Sequence, residues 1–84
     1  MKYKVNRNLI LQKVDNKLVG FDVERSFLYT FNETAEYVFK KIKRGWEVNK
    51  IASLLAKRYE ITGKDALKDS TALLKDLKKN KLLV

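Results

Sequence analysis

Ser26-Phe27-Leu28-Tyr29-Thr30-Phe31-Asn32-Glu33-Thr34-Ala35-Glu36 is the stretch in which the hydrophobic period of this chain changes. Up to Phe31 the residues are dense in aromatic side chains, which suit a pleated strand. Beyond Asn32, the residues Ala35, Val38, Phe39 and Ile42 fall at i, i+3, i+4 and i+7, a single helical stripe. Asn32 is the N-cap that such a helix needs, because its short side chain accepts from the first free N–H groups. Glu33 and Glu36 suit the positive end of the helix dipole. The N-terminal side of this junction reads as extended, and the C-terminal side reads as helical.

Working back toward the N-terminus, Leu9-Ile10-Leu11-Gln12-Lys13-Val14 is a strand-length run closed by the turn formers Asp15-Asn16. The next run, Lys17 to Val23, places Val19, Phe21 and Val23 on one face, and the two runs make a hairpin. A second turn at Glu24-Arg25 leads into Ser26–Phe31. The expected result is a three-stranded antiparallel meander whose last strand is an open edge. Working forward, Lys40, Lys41, Lys43 and Arg44 gather at the negative end of the first helix, and Gly45 supplies a left-handed stop. A second helix carries Val48, Ile51, Ala52, Leu55 and Tyr59 on one face and is broken at Thr62-Gly63. A third runs from about Lys64 to Lys79 with Leu67, Ser70, Leu74 and Leu77 inward, and Leu82, Leu83 and Val84 fold back onto the core. The fold class is α+β, a three-stranded antiparallel sheet followed by three helices, which is also the content of a winged-helix domain.

Eighty-four residues bound the chemistry as well, making one domain over residues 1–84 with a thin core. There is no cysteine, which removes disulfides, thiol nucleophiles and thiolate metal sites, and no histidine, the commonest metal ligand and general base. No catalytic residue, metal site or cofactor is therefore expected. Fifteen Lys and four Arg against ten Asp and Glu give a net charge of +9, which favours an acidic partner or serves solubility alone. Neither a signal peptide at Met1–Leu9 nor a membrane span is expected, so the protein reads as cytoplasmic.

Each candidate site has a plain structural counterpart. Glu33 and Glu36 are explained as dipole partners. Asp65, Asp69 and Asp76 form an acidic stripe on the third helix beside a basic stripe of Lys64, Lys68, Lys75 and Lys79. Such paired stripes are ordinarily a solvated face. Nucleic-acid binding would use the third helix and its Lys stripe, yet that helix lacks Arg, Asn or Gln in its body for base reading. Peptide binding by strand addition would use the open third strand. Tyr29 and Phe31 belong to its core face, which leaves Leu28 on the other. Leu73 stands at the border between core and solvent, beside Asp69 and Asp76.

At the strand-to-helix junction the chain resembles the PqqD-like family of precursor-peptide recognition elements. The residues that carry the resemblance are Phe31-Asn32-Glu33-Thr34-Ala35; Gly45 with Val48 and Ile51; Tyr59-Glu60-Ile61; and Asp69 with Leu73-Leu74 and Leu77, ending in Leu82-Leu83. Two positions depart from the family pattern: Glu47 stands where a capping Thr is usual, and Lys81 where Gly often precedes the closing Leu-Leu pair. The resemblance implies a winged-helix-like, non-catalytic adaptor. It would bind the leader segment of a ribosomal precursor peptide and present it to a maturation enzyme such as a radical-SAM protein or a leader peptidase. The leader would lie as an extra strand along Ser26, Phe27, Leu28, Tyr29 and Thr30, in a groove walled by Asp69, Leu73 and Asp76. An acidic leader would suit the net charge. Nucleic acid and membrane are then disfavoured as partners. A monomer is expected, and the open edge is where two copies would pair.

Overall fold

The computed structural model describes residues 3–84; Met1 and Lys2, at the start of the stretch weighed as a signal peptide, lie outside the described residues. Three strands come first, β1 (Leu9–Val14), β2 (Lys17–Asp22) and β3 (Phe27–Thr30). Three helices come after them, α1 (Glu33–Lys43), α2 (Val48–Tyr59) and α3 (Gly63–Lys79). The strands form an antiparallel meander in the order β1-β2-β3. Asp15 and Asn16 both have positive φ, 51° and 67°, so the hairpin closes through the tight turn that matches strand twist. Asn32 caps α1 by accepting from the Ala35 N–H at 2.8 Å, and Thr62 caps α3 through the Asp65 N–H at 3.1 Å. Glu47 opens α2 with no side-chain cap bond.

The core is shared between the layers. Phe31, Val38, Phe39, Ile42, Ile51, Leu55, Leu74, Leu77, Leu82 and Leu83 are fully enclosed. Phe31 packs against Phe39 at 4.9 Å between ring centres, so the residue before the cap ties the sheet to the first helix. The C-terminal tail returns to the N-terminal segment through an isolated bridge between Val5 and Leu83. Lys81 turns that tail with φ 61°, in the left-handed region that favours glycine. The departure noted at this position is thus a lysine held where glycine costs least.

Four expectations change. The inward face of β2 is Leu18, Gly20 and Asp22, not Val19, Phe21 and Val23. The reason is local. A Cβ on Gly20 would meet the Phe31 ring at 3.2 Å, so the glycine leaves the space that the ring fills. Asp22, only 1% exposed, is held there by polar partners around the β2–β3 turn. On α3 the inward stripe is Ala66, Ser70, Leu74 and Leu77, while Leu67 is 38% exposed. A short side chain at position 66 allows α3 to approach α2, its packing partner, and rotates the stripe toward Leu73. Tyr59 is exposed at the end of α2, outside the inward face. Val84 is exposed too, since its main chain pairs with Lys4 while the side chain alternates away from the buried Leu83.

Candidate functional site

β3 is an edge strand, and one hydrogen bond fixes which of its groups are free. The Phe31 N–H donates to the Leu18 carbonyl at 2.9 Å, and Tyr29 and Phe27 lie opposite Gly20 and Asp22. Antiparallel pairing alternates, so Phe27, Tyr29 and Phe31 turn their main-chain groups toward β2. Leu28 and Thr30 turn theirs to the open side. Side chains alternate as well. Phe27 and Tyr29 are half-buried on the inner face, while Leu28, 61% exposed, stands on the outer one. Ser26 lies before the strand with φ 52°, so the extended edge begins at Phe27.

α3 forms a wall beside this edge. The backbones of β3 and α3 hardly approach within 8 Å of each other, and side chains span the gap. The Tyr29 hydroxyl donates to Asp76 Oδ2 at 3.2 Å. Burial first, and then the Asp76 carboxylate, push the Tyr29 phenol above the ordinary tyrosine range, so it stays a neutral donor. Leu73 is half-buried against the core, one helical turn from both Asp69 and Asp76, which are exposed. Of the expected site residues, the structure joins Tyr29 on the inner face of β3 to Asp76 on α3, one helical turn from Leu73. Leu28 stands on the outer face of the strand, Asp69 makes no bond to β3 among the described residues, and Ser26 lies before the strand.

A polar brace that sequence reasoning missed holds the β2–β3 turn against the end of α3. Asp22 Oδ1 accepts from the Glu24 and Arg25 N–H groups, both at 3.1 Å, and Oδ2 accepts from Asn6 Nδ2 at 3.0 Å. Asn6 also donates to the Lys81 carbonyl, and Arg25 donates to the Asn80 carbonyl at 2.8 Å while its guanidinium lies 5.1 Å from the Phe27 ring centre. Three donors and the Arg25 guanidinium, 3.6 Å away, explain how a charged residue occupies an inward position. The signal available in sequence was Asp22 two and three residues before Glu24 and Arg25, the spacing of a side chain that accepts from the turn's own N–H groups.

At its other end β3 opens onto a cleft of about 780 Å³ between the β1–β2 turn and α1, lined by Lys13, Thr30, Asn32, Tyr37, Lys40 and Arg58 among others. Glu36 is held inside it by Lys40 at 2.8 Å and Lys13 at 2.9 Å, and these contacts keep its carboxyl below the usual glutamate range. Arg58 approaches Glu33 at 3.5 Å. Among the described residues no three acidic side chains converge as a cation site, and no helix is long and apolar enough to cross a membrane.

No curated protein sequence is a significant match to this chain. Among solved structures, it is similar to a lasso peptide synthetase B1 complexed with the leader peptide, with a TM-score of 0.94 at 23% identity over 100% of this chain and 99% of that one. It is also similar to TbiB1 in complex with the TbiA(beta) leader peptide, with a TM-score of 0.87 at 14% identity over 95% of this chain and 93% of the other. At these identities the two likenesses establish the fold. The family model described as coenzyme PQQ synthesis protein D matches residues 17–83, from the first residue of β2 to the buried Leu83, and the chain belongs to the PqqD family.

Proposed function

We propose that this protein is a non-catalytic adaptor that binds the leader segment of a ribosomal precursor peptide by strand addition to β3. The whole chain acts as one recognition domain and presents the peptide to a maturation enzyme, such as a radical-SAM protein or a leader peptidase. The observation that carries the reading is the open β3 edge. The main-chain groups of Leu28 and Thr30 face outward, and on the inner face Tyr29 ties the strand to Asp76 of α3. An incoming strand would satisfy those groups, and its alternate side chains would meet Phe27, Tyr29 and Leu73. The two similar structures are both described as complexes with leader peptides, and they share this chain's fold along nearly its full length. Nothing in the arrangement favours a nucleic-acid binder, since Asp65, Asp69 and Asp76 line the exposed faces of α3.

The test titrates synthetic leader segments of candidate ribosomal precursor peptides while amide chemical shifts are followed. Shifts are expected along residues 27–30 and at Leu73 and Asp76. Leu28→Pro removes one of the two outward donors without taking a bond from β2. It should weaken binding at least tenfold, with the circular dichroism and thermal midpoint nearly unchanged. Leu28→Asp, on the exposed face, is the second variant and should weaken binding with the fold kept. Lys75→Ala should leave affinity as it is. Shifts centred on Lys64, Lys68 and Lys75, with residues 27–30 silent, would place the peptide on another surface.

A further inference from the structure

The charge of this chain is not where its groove is. The α3 wall beside β3 carries Asp69 and Asp76, whereas residues 37–59 hold seven Lys and Arg and one Glu, so +6 of the net +9 sits on the end of α1 and on α2. The cations there are organised. α1 ends with the Gly45 N–H donating to the Ile42 carbonyl at 2.9 Å and the Trp46 N–H donating to the Lys41 carbonyl at 3.1 Å, with Gly45 at φ 87°. This paired closure fixes Trp46 beside the helix that it terminates. The Lys41 ammonium then lies 4.6 Å from the Trp46 ring centre and that of Lys50 lies 4.9 Å from it. Lys41 also stands 5.4 Å from the Tyr37 ring, and Arg58 stands 4.9 Å from the same ring.

Aromatic faces that hold ammonium groups in place reduce the freedom those groups lose when an anion arrives. Among the described residues neither Lys41 nor Lys50 makes an ion pair, whereas Glu33 and Glu36 in the adjoining cleft are already occupied by Arg58, Lys13 and Lys40. The cleft is continuous with the end of β3. Thr30, Tyr37 and Arg58 all line it, and Tyr37 carries Lys41 on toward Trp46. The eleven residues of α1 span about 16 Å. Roughly six extended residues would carry a chain from Thr30 past Tyr37 to Trp46.

Resting on the reading of β3 as a peptide-binding edge, we propose that Lys41, Trp46 and Lys50 form a second subsite for the same peptide. It takes the carboxylate side chains of the segment that flanks the strand paired with β3 at its Thr30 end. The chemistry selects a short acidic polypeptide. Trp46 is half-buried with ammonium groups 4.6 and 4.9 Å from its ring centre, so a stacking nucleobase would have to displace them, whereas carboxylates would meet them where they stand. The two subsites divide the recognition, apolar and main-chain at β3, ionic at Trp46, and their linkage raises affinity through effective concentration.

Trp46 is the only tryptophan in the chain, so its fluorescence reports this surface alone. The probe is capped hexaglutamate at low ionic strength, with hexaglutamine as control. A saturable change in Trp46 emission is expected with the first and none with the second. It should fall at least fivefold in the Lys41→Gln/Lys50→Gln variant, with amide shifts at residues 41, 46 and 50 while residues 27–30 stay silent. No saturable change, or one that survives the double substitution, would overturn the subsite. So would duplex DNA or vesicles of anionic phospholipid acting at lower concentration than hexaglutamate. In the precursor peptide, converting the carboxylates that flank the strand-forming segment to amides should loosen binding about tenfold. Equal binding of the two forms, with shifts kept along residues 27–30, would remove the second subsite and leave the β3 reading standing. Shifts absent from residues 27–30 would instead remove the β3 reading.

Discussion

In α1 the residues turned inward are Ala35, Val38, Phe39 and Ile42, whereas in β2 they are Leu18, Gly20 and Asp22. Val19 and Phe21 of β2 face the other way. Phe21 lies between Ile10 and Leu28 in one cross-strand row on the outer face of the sheet, and all three are exposed. The helical layer places its apolar side chains where they stabilise the fold. The sheet packs Leu9, Leu11, Leu18 and Tyr29 inward around a glycine, a ring that fills the glycine's space and a buried carboxylate, and also holds Ile10, Phe21 and Leu28 outward. Apolar residues are expendable to stability only where they are exposed, so the two layers should respond to the same kind of truncation in opposite ways.

The sharpest way to break that comparison is a pair of aromatic truncations. Phe39, which is fully buried against Phe31, should cost about 3–5 kcal/mol as Phe39→Ala, enough to unfold much of the population of so small a chain. Phe21→Thr on the outer face should stay within about 0.5 kcal/mol. Urea titration of both variants measures the two values, and comparable losses would mean that the outer face of the sheet is covered in the folded protein.

Asp22 is the next test, because it separates a polar brace from an apolar core. Asp22→Ala leaves the Asn6 amide and the Glu24 and Arg25 N–H groups without their acceptor. The expected loss is about 2–3 kcal/mol, less than for Phe39. The variant should also speed amide exchange at residues 24–28 more than within α1. Uniform acceleration across both layers would show that the brace serves global stability and not the placement of β3.

The same contrast explains what could be read from the residues alone. The order of elements, the Asn32 cap, the α1 stripe and the open third strand come from period and turn chemistry, because each is decided by neighbours within a few positions. The inward face of β2 does not. Leu18-Val19-Gly20-Phe21-Asp22 alternates on both faces, and the bulkier set, Val19 and Phe21, points outward. A one-residue shift in parity exchanges the faces, and only the long-range arrival of Phe31 over Gly20 decides between them. On α3, Leu67 outweighed Ala66 in hydrophobicity, yet close approach to α2 favoured the smaller residue. At the groove, the positions of Leu73 and Asp76 were legible from helical geometry, whereas the Tyr29–Asp76 bond joins residues 47 apart and had no local signal. The pairing of Lys41 and Lys50 about Trp46 depends on a helix closure and a second helix meeting at one ring.

The smallest expected effect lies on the seam between the two layers. Glu36 on α1 reaches Lys40 on its own helix and Lys13 on β1, so its carboxylate joins the helical layer to the sheet. Hydrogen bonds from those two ammonium groups, Lys40 first, lower its pKa from the ordinary glutamate value. A group whose folded value is depressed contributes stability that is present above its unfolded value. That stability is lost as pH falls through the folded one. Both lysines are about half exposed, so solvent screening limits the contribution to about 0.5 kcal/mol. Glu36→Gln should therefore lower the urea midpoint slightly at pH 7, with the gap closing as pH falls below the glutamate range and shrinking in high salt. If the gap holds unchanged at acid pH, the side chain acts through packing against α1, and the ionic seam between sheet and helix is not what Glu36 supplies.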